Sequence, residues 1–587
     1  MTSLNSFLRK LDVREHSIQI LAIIVNAILF IFILLPIFVL LIRAILTPKG
    51  ISLDYFTIFW SNSFYREALY ATFMAALFTV ITTSIIGIPL AYIMVRYDFP
   101  GKRFFSILIL VPLIMPPFVG ALGLYKILGI SGVINLLLVQ YLGILDKPIN
   151  FLYGETFLFA LGPYDRVYLP HGIVLINTLH LYPLVYLNCA ASLANIDPSL
   201  EEQAENLGAR GFYLFRTVTF PLMKPGWIAG AVLVFIWTFS DLGTPLIVHY
   251  FKMLSVIVFF KLYEITAGNP SPVSYVIGFI MVIVAFITLF TSRKYISLRR
   301  YVMLFAGGRV TQRIFRPKGI KLLATYIFLI TLSLAALTPH IGLTLVAFSD
   351  RWVLTLVPER LTLRHFSTVT PWAAPYILNS FIYAFIAAVI DIILGAFIAY
   401  IISRKLVIGQ SFIDLIATLP LAVPGIIIGL GYWLLFYKVP LLDPLRYTPI
   451  ILTISYSMRR LPYTVRAAYA GMLQIDEALE EASINLGASR LQTFRRITLP
   501  LLAMSLFAGG ILAFINVLIE VSTTFLLVVT DRYAPTTWFL YFRAFADPRN
   551  GLAMASALGF IFVIIIAVAL VIVNKILGAR MGTVFRL

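Results

Sequence analysis

The chain has 587 residues, 60% of them hydrophobic and only 12% charged, with a mean hydropathy of +0.96. Apolar runs of about 20 residues, the length a lipid core demands, recur from end to end; this excludes a string of soluble domains and predicts an all-α polytopic membrane protein. The formal net charge of +19 does not indicate nucleic acid, because the basic residues gather at the ends of apolar runs, where they orient helices in a bilayer.

The N-terminus, MTSLNSFLRKLDVREHS, is polar and basic. The apolar run that follows, from about Ile18 to Ile45, is too long for a signal-peptide core and lacks a small-residue cleavage site after it. It reads as a retained first span. Twelve spans are expected, near 18–46, 68–95, 104–130, 169–194, 226–249 and 273–292, then 321–347, 377–403, 411–436, 448–473, 502–529 and 554–577. With the N-terminus inside, the cytoplasmic segments carry Arg9, Lys10, Arg14, Arg96, Lys102, Arg103, Arg210, Arg216 and Lys224. The segment from Arg293 to Lys321 holds nine basic residues and no acidic one, and the C-terminal tail adds Lys575, Arg580 and Arg586. Acids such as Asp54, Asp146, Glu155, Asp165, Glu359 and Asp547 fall in the expected outer loops. This charge bias places both termini in the cytoplasm. The lone cysteine, Cys189, lies within an apolar run and excludes an internal disulfide and a cysteine metal site.

The chain repeats itself. Gly87, Arg96, Pro112, Pro116 and Gly123 recur 308 residues later as Gly395, Arg404, Pro420, Pro424 and Gly431. Further on the offset is 279, so the first half holds about 29 extra residues, around 138–168. The order of spans is the same in both halves, which makes the duplication parallel. The expected organisation is a first repeat over 1–300, a basic cytoplasmic linker over 301–320 and a second repeat over 321–587.

One polar stretch occurs in each half, EEQAENLGARGFYLFRTVTFP at 201–221 and EEASINLGASRLQTFRRITLP at 480–500. Both lie on the expected cytoplasmic side. Asp197-Pro198 offers an N-cap and a proline at the first helical position, and Asp476 begins the second copy. Gly208 and Gly487 suit a helix end. A second short helix through Arg216 or Arg495 should follow, ended by Pro221 or Pro500. The pattern E-x-[AS]-x-x-x-G-x9-[IV]-x-[LF]-P runs through Glu202, Ala204, Gly208 and Pro221, and through Glu481, Ser483, Gly487 and Pro500.

On these residues the chain resembles the permease subunits of bacterial and archaeal ABC importers, which carry such an EAA-type loop once per six-span unit. The first copy departs from the family pattern at Gln203 and Phe220, the second at Ser483. The resemblance implies that Glu201, Glu202, Ala204, Gly208, Arg216 and Pro221, with Glu480, Glu481, Ser483, Gly487, Arg495 and Pro500, place two coupling helices against two ATPase subunits. It also implies an extracytoplasmic binding protein, and alternating access driven by ATP that the partners use. Outer segments 138–168 and 352–372 would meet that binding protein. The chain has no G-x-x-x-x-G-K-[ST] phosphate loop, so it is expected to be no enzyme and to bind no cofactor of its own. Two fused repeats, with the strings FSDLGTPLIV and EVSTTFLLV, are similar to ferric-iron uptake permeases; related permeases handle thiamine, polyamines or aminoethylphosphonate.

Acids inside spans are costly and usually functional. Asp241 and Glu520 are equivalent at offset 279, as are Thr244 and Thr523. They are candidates for an oxygen-rich, negative patch on a path for a cation; the other reading is that each braces the bend beside it. Asp391, opposite Thr83 in the first half, reads as local bracing. A proton-coupled secondary transporter built on these acids is the alternative of a different class. A membrane-embedded enzyme finds no metal or nucleophile motif.

Overall fold

The computed structural model describes residues 16–160, 165–263, 271–299, 313–440 and 442–577. The N-terminal basic residues, most of the linker and the C-terminal tail therefore lie outside the described residues. The first half contains α1 (Gln19–Ile45), α2 (Ser63–Arg96), α3 (Pro117–Tyr141), α4 (His171–Ala194), α5 (Pro198–Asn206), α6 (Gly211–Phe239) and α7 (Pro272–Arg299). The second half contains α8 (Ile320–Phe348), α9 (Arg364–Ser403), α10 (Gly425–Lys438), α11 (Pro449–Met472), α12 (Glu477–Asn485), α13 (Arg490–Leu518) and α14 (Gly551–Leu577). Among the described residues, strands occur only as three two-stranded hairpins.

Among the described residues, ten helices are long and apolar enough to cross a membrane, and a pair bent by 106°, Gln410–Leu421 with Gly425–Tyr437, makes an eleventh if counted as one span. Helix α11 fills the remaining expected place, near 448–473. It is long enough at 24 residues but carries Arg459, Arg460 and Arg466. Four expected spans are broken: 226–249 after Phe239, 502–529 after Leu518, and two at prolines. The run at 104–130 divides into Lys102–Leu108, a 3-10 turn at Val111–Ile114 and then α3; the run at 411–436 divides at Leu419–Leu421. Pro112, Pro116 and Pro117, and Pro420 and Pro424, lack the N–H that would continue the helix and clash with the preceding turn. The span expected at 377–403 begins earlier, at Arg364, so only the first part of the outer segment 352–372 is loop.

Each half builds the same three-helix core. Helix α2 packs on α4 and α6, and α9 packs on α11 and α13. Glycines let the backbones approach. A Cβ at Gly87 would lie 2.9 Å from Val185 Cβ, and one at Gly395 2.8 Å from Thr464 Cγ2. Outward faces remain apolar, with Ile23, Phe38, Ile85, Phe290, Ile330 and Phe385 exposed as a bilayer requires.

The halves exchange their first spans. Helix α1 lies against α10 of the second half, and α8 lies against α3 of the first. A Cβ at Gly123 would lie 2.0 Å from the Pro339 carbonyl oxygen, and one at Gly431 2.6 Å from that of Pro36. Tyr432 donates its hydroxyl to the Phe32 carbonyl at 2.7 Å, within a π-helical turn of α1 at Phe30–Leu34. The same crossing is thus made twice, by glycine against a helix carbonyl.

Replacing Gly123 or Gly431 with valine should therefore part the halves. Overpacking of this kind costs about 1–3 kcal/mol, and more where backbone is the neighbour. The expected result is loss of monodisperse protein on detergent size exclusion and a lowered unfolding temperature. Gly120→Ala, which meets the flexible end of Met115 at 3.2 Å and Pro339 Cβ at an ordinary 3.6 Å, should leave both nearly unchanged.

Candidate coupling site and intramembrane charge cluster

Helices α5 and α12 have nine residues each and begin at an aspartate. The Asp197 side chain accepts from the Ser199 N–H, and Asp476 from the Ala478 N–H, both at 3.0 Å. Such caps stabilise a helix by about 1 kcal/mol. Gly208 and Gly487 end the helices with φ of +92° and +94°, and a Cβ at either would meet nothing within 4 Å. These glycines serve backbone conformation rather than space.

The helix expected to end at Pro221 or Pro500 does not end there. Helices α6 and α13 run straight through these prolines, each by way of a π-helical turn, Phe215–Thr219 or Phe494–Thr498. The wider turn accommodates a proline that an ordinary helix interior would not. The polar stretch is therefore a short helix, a glycine turn and the first turns of a membrane span.

A buried ion pair fastens each short helix. Arg96, the last residue of α2, meets Glu201 at 2.9 Å, with both side chains almost fully buried. Glu201 also accepts from the Thr219 hydroxyl at 2.7 Å, in the π turn of α6. The second half repeats the arrangement. Arg404 Nε meets Glu480 at 3.0 Å, its other nitrogens reach the Ile475 carbonyl and Glu477, and the Thr498 hydroxyl donates to Glu480 at 2.8 Å. One carboxylate thus joins the end of the second span, the coupling helix and the start of the fifth. Removing one partner of such a buried pair costs about 3–5 kcal/mol.

The outer face of each loop is open. Glu202, Glu481, Arg216 and Arg495 are exposed, whereas Ala204 and Ser483 are half-buried, with Ser483 hydrogen-bonded to Thr493 at 2.9 Å. Leu207 and Leu486 are each 90% exposed. Leu200, Phe212 and Tyr213 join the first, and Leu479, Ile484 and Leu491 join the second. Apolar side chains presented on a polar, rigid loop mark an interaction surface. The role of Arg96 and Arg404 was visible only as a repeated residue; the signal was that both halves retain Arg, Glu and Thr at matching offsets.

Asp241 and Glu520 each sit where a long helix breaks, after α6 and α13. Each caps the short helix beyond, Gly243–Ile247 or Ser522–Leu527, through the N–H of Thr244 at 3.2 Å or of Thr523 at 3.3 Å. Asp241 is also held by Asn177 of α4 at 3.0 Å. Glu520 is ion-paired to both Arg459 and Arg460 of α11. This corrects the expected negative patch of two carboxylates and two hydroxyls. In the second half two guanidinium groups surround the carboxylate, and in both halves the acid accepts from the backbone N–H three residues on, across its own bend. Arg459 lies so close to Gly425 that a Cβ there would overlap its guanidinium. Asp391 is fully buried and accepts from Ser457, also on α11, at 2.6 Å. Sequence reasoning passed over Arg459 and Arg460, which correspond to His180 and Leu181 in the first half.

A family model described as the binding-protein-dependent transport system inner membrane component matches residues 83–301 and 392–583. The chain belongs to this family. It is similar to the ferric transport system permease protein FbpB of Actinobacillus pleuropneumoniae, 29% identical over 489 residues, which cover 82% of this chain and 66% of that protein. A putative ferric transport system permease protein FbpB 1 of Haemophilus influenzae is 29% identical over 444 residues, 74% of this chain and 65% of that protein. The match thus spans just under two thirds of the length of these two relatives. The molybdate/tungstate transport system permease protein WtpB of Pyrococcus abyssi is 29% identical over 191 residues, 32% of this chain and 75% of that protein.

Substitution at Gly487 should follow backbone strain rather than bulk. An L-residue in the left-handed region costs about 1–2 kcal/mol, and less for asparagine. In vesicles holding the permease with its ATPase, Gly487→Asn should transport better than Gly487→Ala, and Gly487→Leu, larger but unbranched at Cβ, should be close to alanine. A graded loss with side-chain volume would contradict this account.

Proposed function

We propose that the chain is the transmembrane permease subunit of an ABC importer that forms the path for a small solute, with Fe(III) as the favoured cargo. The carrying observation is the duplicated cytoplasmic loop, twice fastened by a buried Arg–Glu pair and twice presenting an exposed leucine. Two ATPase subunits would dock on α5 and α12 from the cytoplasm, where both termini of the chain also lie. ATP is used by these partners, and the permease itself is neither an enzyme nor a cofactor binder. The repeats are 1–300 and 321–587, joined by the basic linker 301–320.

A substrate-binding protein would meet the opposite face. The extra segment of the first half offers it a shaped surface, a hairpin of Thr156–Ala160 and Arg166–Leu169. Charge pairs hold this hairpin to the ends of the spans. Asp165 meets Arg66 at 2.6 Å, and Glu155 meets Lys252 and the Tyr250 hydroxyl, both at 2.8 Å. Only the first half carries the segment, so it would set a single orientation for an asymmetric binding protein.

Fe(III) as cargo rests on the names of the two ferric relatives and on the fused two-repeat form. Thiamine, a polyamine and aminoethylphosphonate are the alternatives. Proton-coupled transport is less well supported, because Glu520 is held between two arginines and exposed docking leucines have no use in such a carrier.

Membrane vesicles containing the chain, its co-purifying ATPase and its binding protein should take up radioactive Fe(III) only with ATP. A protonophore should leave the initial rate unchanged. Deleting residues 155–167 should lower uptake at least tenfold by weakening binding-protein docking, while ATPase co-purification persists. Uptake abolished by the protonophore and indifferent to ATP would overturn the assignment, and uptake of thiamine instead of iron would change the cargo.

A further inference from the structure

The linker between the repeats does more than join them. Its described end, from Arg313 onward, lies against the first half before entering α8 of the second. Phe315 pairs with Tyr97 as a single β-bridge just beyond α2. Its N–H donates to the carbonyl of Arg96 at 2.7 Å, and its carbonyl accepts from the Asp98 N–H at 2.9 Å. Arg96 is the residue whose side chain holds Glu201. Two residues earlier, Arg313 donates to Glu205 on α5 at 2.9 Å, with its guanidinium 4.8 Å over the Phe315 ring. Glu205 holds the Arg313 guanidinium above its ordinary pKa, chiefly through this hydrogen bond. The first turns of α8 add to the contact, with the Tyr326 hydroxyl donating to the Pro100 carbonyl at 2.9 Å.

We infer that residues 313–316 form a strap that ties the first coupling helix to the first span of the opposite half, with Arg313 as its positioning residue. The strap grips both ends of the buried pair, through the Arg96 backbone on one side and Glu205, one turn after Glu201, on the other. Its far end is continuous with α8, which packs on α3 across the interface between halves. Displacement of α5 is thereby passed to a span of the second half as well as to α2 and α6. The other half shows a related juxtaposition, for the first stretch of α1 touches Arg490–Thr493, the start of α13 just beyond α12. The linker is thus part of the transmission, which a pair of separate permease chains would have to supply by other contacts. This inference rests on the coupling role proposed above for α5.

The test reads the strap and the coupling separately. Hydrogen–deuterium exchange is followed in the purified full chain for residues 198–214 and 477–493. Arg313→Glu, and more mildly Arg313→Gln, should speed exchange about threefold to fivefold at 198–214, as expected for a part-exposed ion pair, with 477–493 unchanged. Arg313→Glu combined with Glu205→Arg should restore the original rate. In vesicles with the ATPase, Arg313→Glu should raise the ATP hydrolysed per solute transported, and the charge swap should bring it back. Unaltered exchange at 198–214, or exchange that the swap does not restore, would overturn the strap. Restored exchange without any change in the coupling ratio would overturn its part in transmission. Should the chain prove not to work with an ATPase, the exchange result would still stand by itself.

Discussion

The structure depends on a carboxylate buried at the polar-loop end of each half. Glu201 and Glu480 are out of water, and each survives there because a guanidinium and a threonine hydroxyl meet it. An unpaired carboxylate in that position would be strongly unfavourable. The pairing fixes where the short helix can lie. Three segments distant in sequence, the end of the second span, the short helix and the start of the fifth span, become one rigid corner. The glutamates one residue later, Glu202 and Glu481, point outward and keep their hydration. A single step along the helix thus separates the residue that holds the loop from the face that a partner can touch.

The exchanged first spans extend this rigidity across the molecule. Gly123 and Gly431 admit the Pro339 and Pro36 carbonyls so closely that no side chain could stand there. Each half is therefore clasped by a helix belonging to the other. Each corner is joined to α2 or α9 directly by its ion pair, and α8 and α1 pack across onto the opposite half. The breaks at Asp241 and Glu520 lie at the far ends of α6 and α13, the same helices that begin at the coupling corners. Each half thus contains one continuous helix from the cytoplasmic loop to a bend held by an acid.

Much of this was legible because duplication writes the pattern twice. The offsets of 308 and 279 aligned Arg96 with Arg404 and Gly208 with Gly487, and charge bias put the polar loops on one side. Asp197 and Asp476 cap the helices as their residue types suggested. Hydropathy could not foretell the broken spans, since prolines 112, 116, 420 and 424 sit in runs that remain apolar throughout. Pro221 and Pro500 misled for the opposite reason, because a π turn lets a proline pass inside a continuous helix. The acids misled most. A count of carboxylates in spans gave a negative patch, but Arg459 and Arg460, ten residues into α11, invert the charge around Glu520. Such charges must be found together before any one of them is given a role.

The central claim is that a buried Arg–Glu pair makes each cytoplasmic loop part of the span it drives. The most direct measurement is the number of ATP molecules hydrolysed per solute transported, in vesicles containing the whole complex, for Arg404→Ala against the wild type. The account predicts that the variant still binds the ATPase, because the exposed leucines remain, and still hydrolyses ATP, with the ratio raised about tenfold or more by loosening of a corner worth several kcal/mol. An unchanged ratio in a variant that folds and binds its ATPase would contradict it.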